Sequence, residues 1–154
     1  MNFVEGLPVS QSKSTILVVV DRLTKYGHFM ALHHPFTIAS VAYEYFQQIY
    51  KLHGAPESIV SDRDKDLFKY LRTQLHLSTA YHPQVDWQTE TLNKCLESYL
   101  RCMSREKPSE WVAWLPLVEW WYNTTYHSTI HMTSYEALYG QEPPVHLPYL
   151  TEVS

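Results

Sequence analysis

Little in this sequence favours an autonomous nucleic-acid binder, a secreted protein or a membrane protein. Lysine and arginine number 12 against 16 acidic residues, a formal charge of −4. Without a basic excess, any contact with phosphate must come from a local patch. The nine histidines add positive charge only in mild acid. Only two cysteines occur, Cys95 and Cys102. On one helix they sit two turns apart, too far for a disulfide, and they read as small core residues. Met1-Asn2-Phe3-Val4-Glu5 lacks the charged start and apolar run of a signal peptide. The longest apolar run, Ile16 to Val20, is too short to cross a bilayer. Internal repeats and low-complexity tracts are missing. What remains is 154 residues, 45% hydrophobic and 14% aromatic, which predicts one globular domain with a sizeable core. That domain is expected over residues 1–142, with an irregular tail over 143–154 opened by Pro143-Pro144.

Along the chain, Phe3-Val4 starts a strand, Thr15 to Val20 reads as a central buried strand, and Tyr26 to Leu32 as a third. Their adjacency implies an antiparallel meander. Thr37 caps a helix with an apolar stripe of Val41, Tyr45, Ile49 and Leu52, ended by Gly54 and Pro56. Ser58 to Ser61 is a short buried strand that delivers Asp62. A brief segment follows from Lys65 to Arg72, in which Leu67 to Leu71 offers at most a turn or so, and Thr73 to Ser78 reads as a fifth strand. A loop at Ala80 to Pro83 leads into a long amphipathic helix. Leu92, Leu96, Tyr99, Leu100 and Met103 form its apolar side with the two cysteines. Glu90, Asn93, Lys94, Glu97 and Arg101 form the other. Ser109 caps a further helix with an aromatic face from Trp111 to Tyr122. Thr133 and Glu136 make a capping box for a last helix that stops at Gly140.

Pro83-Gln84-Val85-Asp86-Trp87-Gln88-Thr89-Glu90-Thr91-Leu92-Asn93 resembles the signature around the third catalytic acid in integrases of gypsy-type long-terminal-repeat retrotransposons. Asn2 to Pro8, Ile16 to Tyr26, Lys51 to Asp64 and Trp121 to Gly140 are similar to that family's catalytic core, in the same order. The resemblance implies an α/β, ribonuclease-H-like fold: a five-stranded mixed sheet flanked by helices, with the helix between strands 4 and 5 shortened. It implies DNA integration by metal-dependent phosphoryl transfer, with magnesium or manganese as cofactor. The element's DNA ends and target DNA would be partners, a homodimer is possible through helices, and the setting would be nuclear. It assigns Asp62 and Glu90 as catalytic and metal-binding. Lys94, Asn93, Gln88 and Arg101 fall at its nucleic-acid-binding positions. A Cys or His set at zinc spacing is missing.

Three departures bear on activity. Asn2 stands where the family carries its first catalytic Asp, and an amide oxygen brings no charge to the carboxylate position expected to bridge two metals. Residues 63–89, 27 in all, separate Asp62 from Glu90, a shorter spacing than the family's. The loss falls where a covering apolar helix is expected, which predicts a weakened core. Trp87 replaces a glycine and adds bulk beside Glu90. The expected function is an integrase core impaired at its metal site. Two alternatives are a nuclease that recruits Asp64 or Asp86, and a non-enzymatic remnant that binds nucleic acid or protein.

Overall fold

A computed structural model describes residues 1–61, 65–75, 80–83 and 87–144; at 67–68, 71, 74–75, 80–83 and 87–89 it describes the backbone alone. β1 (Asn2–Val4), β2 (Lys13–Val20) and β3 (Gly27–His33) form an antiparallel sheet in the order β1-β2-β3. Asn2 lies across from Val18 and Phe3 from Leu17, while Val18 lies across from Phe29 and Leu17 from Met30. Side chains alternate between faces along each strand. Phe3, Leu17, Met30 and Leu32 therefore pack on one side, and Val4, Ile16, Val18 and Phe29 on the other. Ile16, Leu17 and Val18 are fully buried, as expected of a strand covered on both faces.

The first face is covered by α1 (Ile38–Tyr45) and the π-helical stretch Phe46–Tyr50, through Val41, Ala42, Tyr45 and Ile49. Thr37 caps α1 in a capping box with Ser40. Chain direction reverses after α2 (Lys51–His53) at Gly54. Leu52, expected in the apolar stripe, is exposed instead, because the π-helical stretch rotates it past the core. The second face is covered by α4 (Trp87–Met103) and α5 (Trp111–Thr124), through Leu92, Leu96, Leu100, Trp111, Leu115 and Val118.

Several expectations need correction. Among the described residues, hydrogen bonds give the three-stranded sheet and a parallel pair of β4 (Ser58–Ser61) and β5 (Ala80–Pro83). Residues 80–83 are thus a strand and not a loop. Thr73 to Leu75 belong to α3 (Lys65–Leu75), not to a strand, and the rest of that expected strand, 76–78, lies outside the described residues. α3 spans three turns where a single turn was expected, and it packs against α1, so the covering layer is not missing. Its leucines, lysines and glutamine favour helix, with Asp66 in the first turn and Arg72 in the last complementing the helix dipole. Cys95 and Cys102 are exposed, as is Tyr99. Ser109 makes no side-chain cap; α5 instead follows a 3-10 turn, Pro108–Glu110. Trp114 and Trp121 of the aromatic face point to solvent. β6 (Tyr126–His127) and β7 (Met132–Thr133) form a short hairpin before α6 (Ser134–Tyr139), whose Thr133–Glu136 box and Gly140 stop are as expected.

β3 is an edge of its sheet, and α5 covers it with polar side chains. Gly27 N–H donates to Asn123 Oδ1 at 2.8 Å, and Asn123 Nδ2 donates back to the Gly27 carbonyl at 2.8 Å. Phe29 N–H donates to Glu119 Oε1 at 2.6 Å. The buried amide thus stands in for a neighbouring strand and closes the edge. Burial holds the Glu119 carboxyl above its ordinary range, against the lowering effect of the Phe29 bond. The folded state therefore holds the Glu119 proton more tightly than the unfolded chain, and stability from this group falls as pH rises through the carboxylate range. Glu119→Gln keeps the acceptor without the charge. It is expected to raise the melting temperature at neutral pH, with the gain shrinking in acid; circular dichroism melts across pH check this.

Candidate catalytic site

Asn2 opens β1, and its register with Val18 sets it on the sheet face covered by α4 and α5. Its Oδ1 accepts the Phe3 N–H at 2.8 Å. This end of β1 is tied down: the Met1 amino group donates to the Val60 carbonyl at 2.9 Å. That bond joins the residue before Asn2 to a residue two positions before Asp62, so β4 approaches the start of β1. Ser61, the last residue of β4, is buried. Asp62 follows it and lies outside the described residues, as do Asp64 and Asp86. The side chains of Trp87 and Gln88 are likewise not described.

Glu90 occupies the first turn of α4 and is exposed, where the helix dipole favours a carboxylate. Leu92, two residues on, is packed into the sheet cluster with Val18, which pins this end of the helix over the face carrying Asn2. Lys94 and Arg101 are exposed along the same helix. Asn93 is half-buried, and its Oδ1 has no hydrogen-bond partner among the described residues. The structure thus brings Asn2 and the opening of α4 to one sheet face and sets two cations along the helix beyond them.

A hard divalent cation asks for several oxygen ligands, most of them charged. Of the three catalytic positions that the resemblance assigns, the described residues include one carboxylate, Glu90, and one amide, Asn2, while Asp62 lies outside them. Among the described residues no group of three His, Cys, Asp or Glu is placed to hold a metal ion.

A cavity of ≈ 580 Å³ has Met1, Asp21, His28, His53, Val60 and Leu92 among its lining residues. His28 Nε2 and His53 Nε2 are 2.9 Å apart. Sequence reasoning missed this pair, and it missed the strand-edge roles of Glu119 and Asn123. Nothing in local spacing marks His28 or His53. Asn123 falls inside a stretch resembling the integrase family, but its role shows only in the fold.

No family model matches the chain. It is 31% identical over 163 aligned positions, covering 99% of its length, to the Transposon Tf2-3 polyprotein of Schizosaccharomyces pombe. It is similar to the same extent to the Transposon Tf2-4 and Tf2-5 polyproteins of that organism. The chain is homologous to one segment of a transposon polyprotein. It spans only 12% of the length of these curated relatives. No helix among the described residues is long and apolar enough to cross a membrane.

Proposed function

We propose that this polyprotein segment is an integrase catalytic core of the gypsy class, with a ribonuclease-H-like sheet in which β4 and β5 extend the β1-β2-β3 meander, and that its metal site is impaired. The observation that carries the reading is the Met1–Val60 hydrogen bond, which sets β4 against the start of β1. With the opening of α4 packed over the same face, the start of β1, the end of β4 and the first turn of α4 approach one another, which supports a shared site for Asn2, Asp62 and Glu90.

Asp62 and Glu90 would hold magnesium or manganese, with Asn2 a weak third ligand. The metal supplies charge stabilisation for the attacking and leaving oxygens of an in-line phosphoryl displacement. Lys94, Arg101, Gln88 and Asn93 orient the DNA, the cations through phosphate and the amides by hydrogen bonds. Element ends and target DNA are the substrates, in a nuclear setting. Trp114 and Trp121, exposed on α5, suit a homodimer surface. Neutral Asn2 in place of a carboxylate favours one second reading: a non-enzymatic remnant whose DNA affinity persists, with strong salt dependence but no cleavage.

Strand-transfer assays with manganese test this. The natural chain is expected to show almost no turnover, Asn2→Asp to gain about tenfold or more, and Asp62→Ala in that background to lose the gain. In parallel, magnesium is expected to raise the melting temperature of Asn2→Asp more than that of the natural chain. Robust turnover by the natural chain, abolished by Asp62→Ala, refutes the impairment. No metal response in Asn2→Asp by either readout refutes the site.

A further inference from the structure

His28 and His53 come from elements that share no strand pairing. His28 is on β3, and His53 ends α2. Their Nε2 atoms are 2.9 Å apart, and their ring centroids 5.1 Å apart at an interplanar angle of 61°. The rings therefore meet tip to tip, with one nitrogen donating and the other accepting. Such a bond accommodates a single proton: with both rings charged, two N–H groups face each other and the contact becomes repulsive. The chain leaving His53 passes through Gly54 and Pro56 directly into β4, and the same histidines line the ≈ 580 Å³ cavity.

We propose that the His28–His53 contact is a proton-sensitive latch: in its singly occupied state it ties β3 to the helix end that feeds β4, and a second proton breaks the tie and opens the cavity beside the β1–β4 corner. The inference stands on this geometry and is independent of the integrase reading.

The surroundings set its direction. Burial raises the Asp21 carboxyl, but bonds from Thr24 Oγ1 and from the Thr24 and Leu23 amides, and then nearby His53, hold it below its ordinary range. Arg22 and Lys25 on the same turn also line the cavity. Glu57, from the segment before β4, also lines the cavity. Tyr26 packs its ring on both histidines, with centroids at 5.1 Å and 6.5 Å, and its phenol stays neutral because burial raises its pKa. Tyr45, on α1 at the cavity wall, is neutral for the same reason. Burial, and then His53, push His28 down to about 4. Below the ordinary imidazole value the unfolded chain takes up this proton before the folded one does. The latch is thus intact above about pH 6.5 and is lost as pH falls toward about 4.

The test uses the whole chain, melted at about pH 7.5 and about pH 5, together with His28→Gln and His53→Gln. Glutamine keeps a neutral donor and acceptor. The natural chain is expected to lose melting temperature on acidification, with faster amide exchange at Gly54 and Ser58 than the intrinsic pH effect allows. Both variants are expected to lose most of that dependence. An equal pH response in all three overturns the proposal. Should a variant fail to fold, histidine side-chain nitrogen spectra of the natural chain decide alone. A His28 ring that stays neutral through mild acid supports the latch, and rings that both titrate as free imidazoles overturn it.

Discussion

Trp111→Ala is expected to destabilise the domain by about 3–5 kcal/mol, the cost of removing a large buried aromatic side chain. Trp111 is 1% exposed at the start of α5 and packs in the cluster that joins β1, β2 and β3 to α4 and α5. Its Nε1 also donates to the Pro8 carbonyl at 2.6 Å, across 103 positions of sequence. The substitution thus opens a cavity between both covering helices and the sheet, and strips the Pro8 carbonyl of its donor. Trp111→Phe separates the two effects, since it keeps most of the apolar volume and loses the hydrogen bond. Urea titrations followed by circular dichroism read the difference. A loss below about 1 kcal/mol for the alanine variant would mean that α5 does not pack where the fold sets it, because buried aromatic truncations cost several times that.

Asn123→Leu is expected to cost about 2–6 kcal/mol, since it abandons two buried backbone groups at about 1–3 kcal/mol each. For a chain of this size that corresponds to a fall of roughly 10 °C in melting temperature. Asn123 is 1% exposed, and its amide satisfies both the N–H and the carbonyl of Gly27. Leucine matches its shape but can do neither. Space forbids an easy escape, because a Cβ built on Gly27 lies 2.8 Å from Tyr122 Cε1. The β3 edge is held this close to α5 only because residue 27 has no side chain. Amide exchange at Gly27 and Phe29 is a second readout and is expected to quicken in Asn123→Leu. Unchanged protection there would assign the edge to some other partner.

How far the fold could be read depends on the range of each interaction. The buried β-branched run of β2, the cap at Thr37 and the capping box at Thr133 involve neighbours within four positions, and their reading holds. The cysteines were misread for a geometric reason. Leu92, Leu96 and Leu100 define the buried centre of α4, and Cys95 and Cys102 lie about 100–120° around the helix from it. An i, i+3, i+7 pattern looks continuous in sequence while drifting off the buried face. α3 was misread because two leucines at alternate positions, Leu75 and Leu77, imitate a strand where the preceding run of helix formers continues through Leu75.

Of the candidate site, the residue types and their order along the chain were legible, including the neutral Asn2. The approach of β4 and of the opening of α4 to the start of β1 was not. It rests on a bond between Met1 and Val60, 59 positions apart, and on the burial of Leu92 in the same core cluster as Val18. The edge closure by Asn123, 96 positions from Gly27, and the meeting of His28 with His53 are of the same kind. Side-chain periodicity and backbone capping are settled by bonds a chain makes with its near neighbours, so composition and spacing carried them. Which distant groups finally touch depends on how sheet and helices pack together, and only the folded chain could reveal that.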